Sequence, residues 1–512
     1  MNPPVVLGVS ASLRNARFGR GSQLLVEELR GIRDKSELTS YLERQSKIIT
    51  SQFFESGRDE GLPFDELYRR FKKASGDRGL SNSESAIVAA LFGAQQAGCD
   101  VDHVSLAKHF LPNGNEKNLD ELKAQLLRAD ALIIGGPVYF GDRGSLTQTF
   151  IEYLGKETEV REHLQGRVYG GVAVGAKRNG GQETTLIYQL IDMTNLGMLG
   201  VGNDSATTSQ YGGTAVAGDV GTFHEDDYGI ETCIGTGRRV ARVVSALDAG
   251  QSVAMNDRLR LDIWVLQDSE DRCFERHFTD LLSHLPDEVV DACDIRLRNL
   301  SDAYVRRCIA CDICPTDIGP AKQYRCIITA KDDLFVQSHA DLVDTDAVLI
   351  AAYSPVDRRD INSQYQRFIE RTRYWRRDDY LMGDLPMAPF VISEIGANQN
   401  LHIRAMTSAV RHHSVLHRPI IGFEHQDELL NRDEMARAFT SFVHQSSRLT
   451  RARLTQSKAR AERVYNPLGY VISKEKSSSD RKSKRWSDIV AERTDLRHQE
   501  ATVRLSSKSS ER

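Results

Sequence analysis

Apolar residues in the first half of the chain gather into short continuous runs, separated by stretches in which they recur every three or four positions. The runs Pro4–Ser10, Asp100–Leu106, Ala131–Gly136, Val168–Gly175 and Met198–Gly202 predict strands. The stretches Ser83–Ala97, Leu119–Arg128, Ser145–Leu154, Glu183–Leu196 and Ile230–Leu247 predict helices, the first with a polar start at Ser83 and a stop at Gly98. Strands apolar at successive positions suit a parallel sheet covered on both faces. Five strand–helix units in this order predict a doubly wound α/β sheet, with ligands expected beyond the carboxyl ends of its strands.

The second half repeats the rhythm more faintly, with strands expected at Leu259–Leu266, Val289–Leu297, Ala347–Tyr353, Pro389–Ile395 and Pro419–Phe423 and a closing helix at Arg432–Leu449. This predicts a second domain of the same class, a diverged duplicate. One stretch breaks the first rhythm. Between the first strand and its helix, Leu24–Phe54 and Phe64–Lys73 carry helical spacing and no strand, so a helical insertion is expected over about 24–80. It would cover a site, pair with another subunit, or be an ornament of the fold. The organisation expected is a first domain at 1–250, a second at 251–450 and a tail at 451–512.

Composition changes the picture at the tail. Hydrophobic residues make up 40% and charged residues 27% of the 512, with mean hydropathy −0.42, as in a soluble globular chain. No apolar run approaches the roughly 20 residues that span a bilayer. Met1 to Arg14 lacks the pattern of a secretory signal, so a cytoplasmic location is the expectation. Formal net charge is −4, yet 451–512 holds 16 Lys/Arg against 8 Asp/Glu. A basic, apolar-poor tail predicts disorder, with docking to an acidic partner or a nucleic-acid contact as alternatives.

Three loops at strand ends carry candidate chemistry. Strand one runs into Gly8-Val9-Ser10-Ala11-Ser12-Leu13-Arg14, small residues able to surround a phosphate, and the chain returns after the insertion at Leu80-Ser81-Asn82-Ser83-Glu84, where a helix begins. Strand three ends in Gly136-Pro137-Val138-Tyr139-Phe140-Gly141, a rigid aromatic ledge suited to a flat ring. Strand four ends in Lys177-Arg178-Asn179-Gly180-Gly181-Gln182-Glu183, whose glycines permit close backbone approach. On these residues, and on Ala129-Asp130-Ala131-Leu132-Ile133-Ile134-Gly135, residues 4–248 resemble the NADPH-dependent FMN reductase group of the flavodoxin-like superfamily, including its iron–sulfur flavoproteins. The resemblance implies two flavodoxin-like five-stranded sheets in tandem. It implies FMN held at its phosphate by Ser10, Ser12, Arg14, Asn82 and Ser83, and at its ring by Pro137, Val138, Tyr139, Phe140 and Gly141 with Asn179, Gly180, Gly181, Gln182 and Glu183.

The second half has lost those loops and carries clustered cysteines. Cys308, Cys311 and Cys314 stand at two-residue spacing, followed by Cys326. Four thiolates on one short segment suit a [4Fe–4S] cluster, with zinc or redox-active thiols as alternatives. The segment is also similar to the cluster loop of iron–sulfur flavoproteins. Its first loop, Gln267-Asp268-Ser269-Glu270-Asp271, would repel a phosphate, so no FMN is expected there. Arg373-Tyr374-Trp375-Arg376-Arg377 is expected to pack on the cysteine region rather than bind nucleic acid, and His412, His413 and His417 to be ordinary core or surface histidines.

Together these readings predict an FMN-dependent oxidoreductase that moves electrons between NAD(P)H or a ferredoxin-like carrier and a small organic acceptor, in a homo-oligomer. A simple NAD(P)H-dependent FMN or quinone reductase with structural cysteines is one alternative. A non-catalytic electron-transfer or redox-sensing subunit is another.

Overall fold

The structure is a computed structural model that describes residues 3–12, 22–55, 57, 60–73, 79–205, 207, 209–251, 253, 257–311, 314, 322–357, 361–376, 380–397, 400–456, 495–496 and 498–505. The chain divides into two compact units, Met1–Ser245 and Ala246–Arg512. Each is built on a mostly parallel sheet.

The first unit runs β1 (Val5–Ser10), α1 (Ser22–Arg30), α2 (Lys35–Glu55), α3 (Phe64–Lys73), α4 (Asn82–Gln96), β2 (Asp100–Ser105), α5 (Leu119–Leu126), β3 (Ala131–Tyr139), β4 (Asp142–Arg143), α6 (Ser145–Lys156), α7 (Thr158–Leu164), β5 (Val168–Gly175), α8 (Gln182–Asn195), β6 (Leu199–Gly200), β7 (Gly213–Val216) and α9 (Asp227–Ala249). β2, β1, β3 and β5 lie side by side in parallel. The fifth strand is not the single run expected at Met198–Gly202. β6 pairs with Val168–Tyr169 at the start of β5, and β7 pairs with Val172–Gly175 at its end. Between them the chain makes a buried polar loop in which Asn203 Oδ1 accepts from Ser205 N at 2.6 Å and Ser209 Oγ donates to Gly212 O at 2.8 Å. Such a loop has no apolar rhythm, which hides β7 from periodicity.

The expected helical insertion is present as α1, α2 and α3. Leu25, Val26 and Leu29 of α1 and Leu38, Tyr41, Leu42 and Ile49 of α2 are buried. Tyr41 OH donates to Glu28 Oε2 at 2.9 Å across the two helices, and Lys35 of α2 pairs with Glu231 of α9 at 3.0 Å. Close to the sheet, α4 and α9 approach nearer than side chains allow. A Cβ on Gly93 would stand 2.1 Å from Ile234 O, and one on Gly237 1.7 Å from Ala90 O.

The second unit runs β8 (Leu259–Gln267), α10 (Cys273–Leu282), α11 (Asp287–Asp291), β9 (Cys293–Asn299), α12 (Leu334–Val343), β10 (Ala347–Ser354), α13 (Ser363–Arg371), β11 (Pro386–Glu394), α14 (Leu401–Val410), β12 (Val415–Leu416), β13 (Ile420–His425), β14 (Glu428–Leu429) and α15 (Arg432–Thr455). β9, β8, β10 and β11 are parallel neighbours, and β12 and β13 share the far side of β11. The strand expected at Val289–Leu297 starts only at Cys293. Pro286 and the acidic pair Asp287–Glu288 open a helical turn instead, where carboxylates favour the helix N-terminus, and Val289 packs into the core. β11 begins three residues before Pro389. That proline, which cannot donate a hydrogen bond, falls between the stretch paired with β12 and the stretch paired with β13. Phe274, Phe278, Phe390 and Phe439 form the aromatic centre of this core, Phe274 meeting Phe390 edge-on at 4.9 Å.

Short parts of the tail are described. α15 continues to Thr455, and residues 498–505 are helical, with Arg504 buried against Asp346. Residues 457–494 and 506–512 lie outside the described residues. Among the described residues no helix is long and apolar enough to cross a membrane.

Candidate functional site

β1 delivers Ser10, Ala11 and Ser12 to the carboxyl edge of the first unit, where Ala11 N donates to Gly135 O at 2.8 Å and ties this loop to β3. The side chain of Ser10 turns inward. Its hydroxyl stands 2.8 Å from His103 Nε2, and His103 Nδ1 lies 3.0 Å from Ser22 Oγ of the insertion. Burial pushes His103 down to about 3, so the ring is neutral. Ser12 is nearly buried, and Arg14 lies outside the described residues. α4 starts with a capping box: Glu84 N donates to Ser81 Oγ and Ser81 N to Glu84 Oε2, both at 3.2 Å. Burial raises Glu84 to about 8, which leaves this N-terminal turn without a carboxylate charge at neutral pH.

Asn82 and Ser83 sit in that first turn, where backbone N–H groups favour an anion. Ser83 is buried. The amide of Asn82 is engaged by the loop after β7, donating to Asp219 O at 2.8 Å and accepting from Phe223 N at 3.2 Å. The same loop rests on the insertion, since a Cβ on Gly221 would meet Ile49, Ser46 and Thr50 of α2 at about 3 Å.

The two ring-facing loops come together. Val138 and Tyr139 pair back onto β4, and the turn between holds Phe140 and Gly141 at positive φ. Tyr139 is 58% exposed and Phe140 wholly exposed, an unusual position for an apolar ring. Pro137 and Val138 are half-buried behind them. Gly181, at φ 98°, caps α8. A Cβ there would stand 2.7 Å from Gly141 Cα and 3.2 Å from Val138, so the loops after β3 and β5 are in backbone contact. Asn179 also has positive φ, and Glu183 is exposed. Gln182 is buried and holds the second loop by accepting from Gly180 N at 2.7 Å and donating to Lys177 O at 2.8 Å and Ala215 O at 3.2 Å.

Residues without a motif complete this edge. Asp226 accepts from Val216 N at 2.8 Å and Gly229 N at 2.9 Å and pairs with Arg178. Arg178 donates to Thr214 O at 2.6 Å and lies over the ring of Tyr228 at 4.6 Å. Asp226 thus fastens β7, α9 and the loop after β5 at one point. Its partner Arg178 lies too far off in sequence for any local pattern to reveal the pair.

These residues fit FMN. The fit rests on the uncovered aromatic pair, the close glycine contact beside it, and the buried hydroxyls of Thr147 and Thr185 in the first turns of α6 and α8, which have no hydrogen-bond partner among the described residues.

In the second unit the start of the first helix after β8 is occupied by the chain itself. Asp268 Oδ1 accepts from Ser269 N and Phe274 N, each at 2.9 Å, so a carboxylate of the chain itself occupies the start of α10. Tyr353, near the end of β10, is buried and donates to Glu424 Oε2 at 2.9 Å. Cys308, Cys311, Cys314 and Cys326 are half-buried and form no disulfide. In kind and number they fit a four-thiolate centre. Among the described residues, however, no three His, Cys, Asp or Glu side chains stand close enough together to hold a metal. Tyr374 and Trp375 are buried, with Tyr374 OH 2.7 Å from His339 Nδ1. His412, His413 and His417 are buried too, and burial lowers His412 and His417 to about 3.

A parallel sheet whose strand ends carry a small-residue loop, an aromatic ledge and a glycine contact defines the class as parallel α/β, a class in which ligands bind beyond the carboxyl ends of the strands. The family model of NADPH-dependent FMN reductase matches residues 75–212, from the end of the insertion to the loop before β7. An iron–sulfur flavoprotein of Methanocaldococcus jannaschii is 37% identical over 130 residues, covering 25% of this chain and 66% of that protein. An NAD(P)H dehydrogenase (quinone) of Aromatoleum aromaticum is 30% identical over 139 residues, covering 25% of this chain and 67% of its own. A solved flavodoxin, WrbA-like protein from Agrobacterium tumefaciens aligns at TM-score 0.25 and 23% identity over 32% of this chain and 89% of its own. The chain belongs to the NADPH-dependent FMN reductase family, whose members are flavin-dependent oxidoreductases. It spans about two thirds of the length of the curated relatives named here.

Proposed function

We propose that this chain is an FMN-dependent oxidoreductase that passes electrons between NAD(P)H or an electron-carrier protein and a small organic acceptor, with a [4Fe–4S] centre at Cys308, Cys311, Cys314 and Cys326. The observation that carries it is the ledge of Tyr139 and Phe140, uncovered beside the contact between Gly181 and Gly141. A flat ring laid there would have an aromatic wall on one side and backbone N–H groups at its edge. Pro137 to Gly141 would set the plane of the ring and Asn179 to Glu183 its edge, while Ser12, Ser83 and the first turn of α4 would take the phosphate. When bound, a flavin supplies the two-electron and one-electron chemistry, which explains a site without an acid or base at its centre.

The two units, with matching strand order, are read as a flavodoxin-like tandem in which the first keeps the flavin site and the second keeps the cysteines. Asp268 at the start of α10 supports the second half of that reading. Anaerobically purified protein should show flavin absorption together with a broad iron–sulfur shoulder, and should oxidise NADPH or NADH in the presence of a quinone. Flavin without iron would leave a simple reductase. Absence of flavin after reconstitution with FMN defeats the proposal.

A further inference from the structure

We infer that Arg371 is the positioning residue of the cysteine segment, holding its two ends together so that a metal has only to gather the thiols between them. The inference rests on the metal-centre reading above. At the last residue of α13, Arg371 is 2% exposed overall. Its Nη1 donates to Arg306 O at 3.1 Å, two residues before Cys308, and to Asp333 Oδ2 at 2.8 Å. Its Nη2 donates to Tyr324 OH at 2.6 Å, two residues before Cys326. One planar guanidinium therefore joins the entry of the segment to its exit.

The surrounding bonds make that junction rigid. Asp333, fully buried, also accepts from Arg306 N at 2.8 Å and caps α12 by accepting from Phe335 N at 3.0 Å. Leu334 N donates to Tyr304 O at 2.9 Å, a second tie at the entry. At the exit, Tyr324 OH donates to Ile328 O at 2.6 Å, which brackets Cys326. The Tyr324 ring stands edge-on to Tyr374 and His339, and the Arg371 guanidinium covers Phe335 at 5.1 Å.

The arrangement has a physical purpose beyond packing. Bringing the ends of a flexible segment together costs chain entropy, and a centre built from loose ends would spend binding energy on that closure. Here the fold has already joined the two ends, while among the described residues no three thiols stand close enough to hold a metal. Arginine suits the task because its fixed fork reaches a carboxylate, a carbonyl and a hydroxyl at once, which a lysine ammonium on a flexible stem does not.

The test uses full-length protein freed of metal and titrated with Co2+ against a competing chelator, following the sulfur-to-cobalt charge-transfer absorption, with iron and sulfide reconstitution in parallel. Tyr324→Phe keeps the Arg371–Asp333 pair and removes the hydroxyl that Arg371 reaches, together with that hydroxyl's bond to Ile328 O. Arg371→Lys keeps the charge and loses the fork. Both should weaken Co2+ binding about 10- to 100-fold, the usual effect of removing a group that orients metal ligands. Unchanged affinity in folded Tyr324→Phe and Arg371→Lys protein overturns the inference. Should Arg371→Lys fail to fold, Tyr324→Phe decides alone. If wild-type protein takes up neither Co2+ nor iron, the metal-centre reading fails first and this inference with it. A normal wild type with indifferent variants defeats only the role given to Arg371.

Discussion

The hydroxyl of Ser10 is committed to His103, and the ring of His103 reaches on to Ser22, so a motif residue, a buried histidine and the insertion form one polar chain. Replacing His103 by Leu would strand the buried Ser10 hydroxyl at a cost of about 1–3 kcal/mol. FMN affinity, read by quenching of flavin fluorescence, should fall, whereas Ser22→Ala should leave it nearly unchanged. Glu84 makes a second prediction at this scale. Its folded value, raised by burial from 4.5 to about 8, means the folded state holds a proton that the unfolded state gives up. Its stabilising contribution is complete below 4.5 and is lost as the pH climbs through 8. Glu84→Gln keeps an acceptor for Ser81 N and has no proton to lose. Denaturant midpoints of wild type and Glu84→Gln should therefore draw apart between pH 4.5 and 8, wild type falling relative to the variant. Parallel curves would refute the assignment. The motif residues of this site were legible in the chain because their chemistry is local: glycines, hydroxyls and an aromatic pair in consecutive positions. His103, Asp226 and Arg178 were not, because each acquires meaning only from a partner that the fold brings in from far along the sequence.

Elements were legible wherever a strand is buried on both faces, because a continuous apolar run such as Ala131-Leu132-Ile133-Ile134 leaves little alternative. They were misread where a single local feature outweighed the rhythm. The valine pair Val289–Val290 suggested a strand inside a helical turn, and Pro389 suggested a strand start inside β11. Glycines within helices show the limit most sharply, since three of them look alike in sequence and differ in the fold. Gly93 and Gly237 let α4 and α9 meet at backbone distance, whereas a Cβ on Gly155 of α6 would come no nearer than 3.8 Å to Leu196. Gly237→Ala should therefore cost about 1–3 kcal/mol as the two helices are forced apart. Gly155→Ala should be neutral or stabilise by about 0.5–1 kcal/mol through its gain in helix propensity. Chemical denaturation of both variants decides it, and equal effects would contradict the close crossing.

At the scale of the whole chain, one described residue of the basic end is held by the second unit. Sixteen cations in the last sixty-two residues describe a segment that water should hold in solution. Yet Arg504 is 6% exposed, and its two terminal nitrogens each reach a different oxygen of Asp346 at 2.6 Å. Asp346 opens β10 and accepts from Arg260 N at 3.1 Å, as Asp130 opens β3 and accepts from Val5 N at 2.9 Å in the first unit. In the first unit the guanidinium beside that aspartate comes from Arg167, a neighbour in the same sheet. In the second it comes from the far end of the chain as well as from Arg260. A lone arginine among many gives no sign of this in sequence. Burial alone would raise Asp346, but the guanidinium groups of Arg504 and Arg260 reverse it and hold the carboxyl below its ordinary 3.8. The pair thus contributes stability above that pH and loses it as the pH falls through the lower folded value. Arg504→Gln should destabilise the second unit at pH 7 by about 1–3 kcal/mol, the usual worth of hydrogen bonds to a charged group, with Arg260 limiting the loss. The gap between wild type and variant should also narrow from pH 7 to pH 2, because below the ordinary 3.8 the unfolded carboxyl takes up a proton that the folded one still resists. Urea unfolding at the two pH values measures this directly, and an Arg504→Gln protein as stable as wild type at pH 7 would show that the tail rests on the fold without holding it.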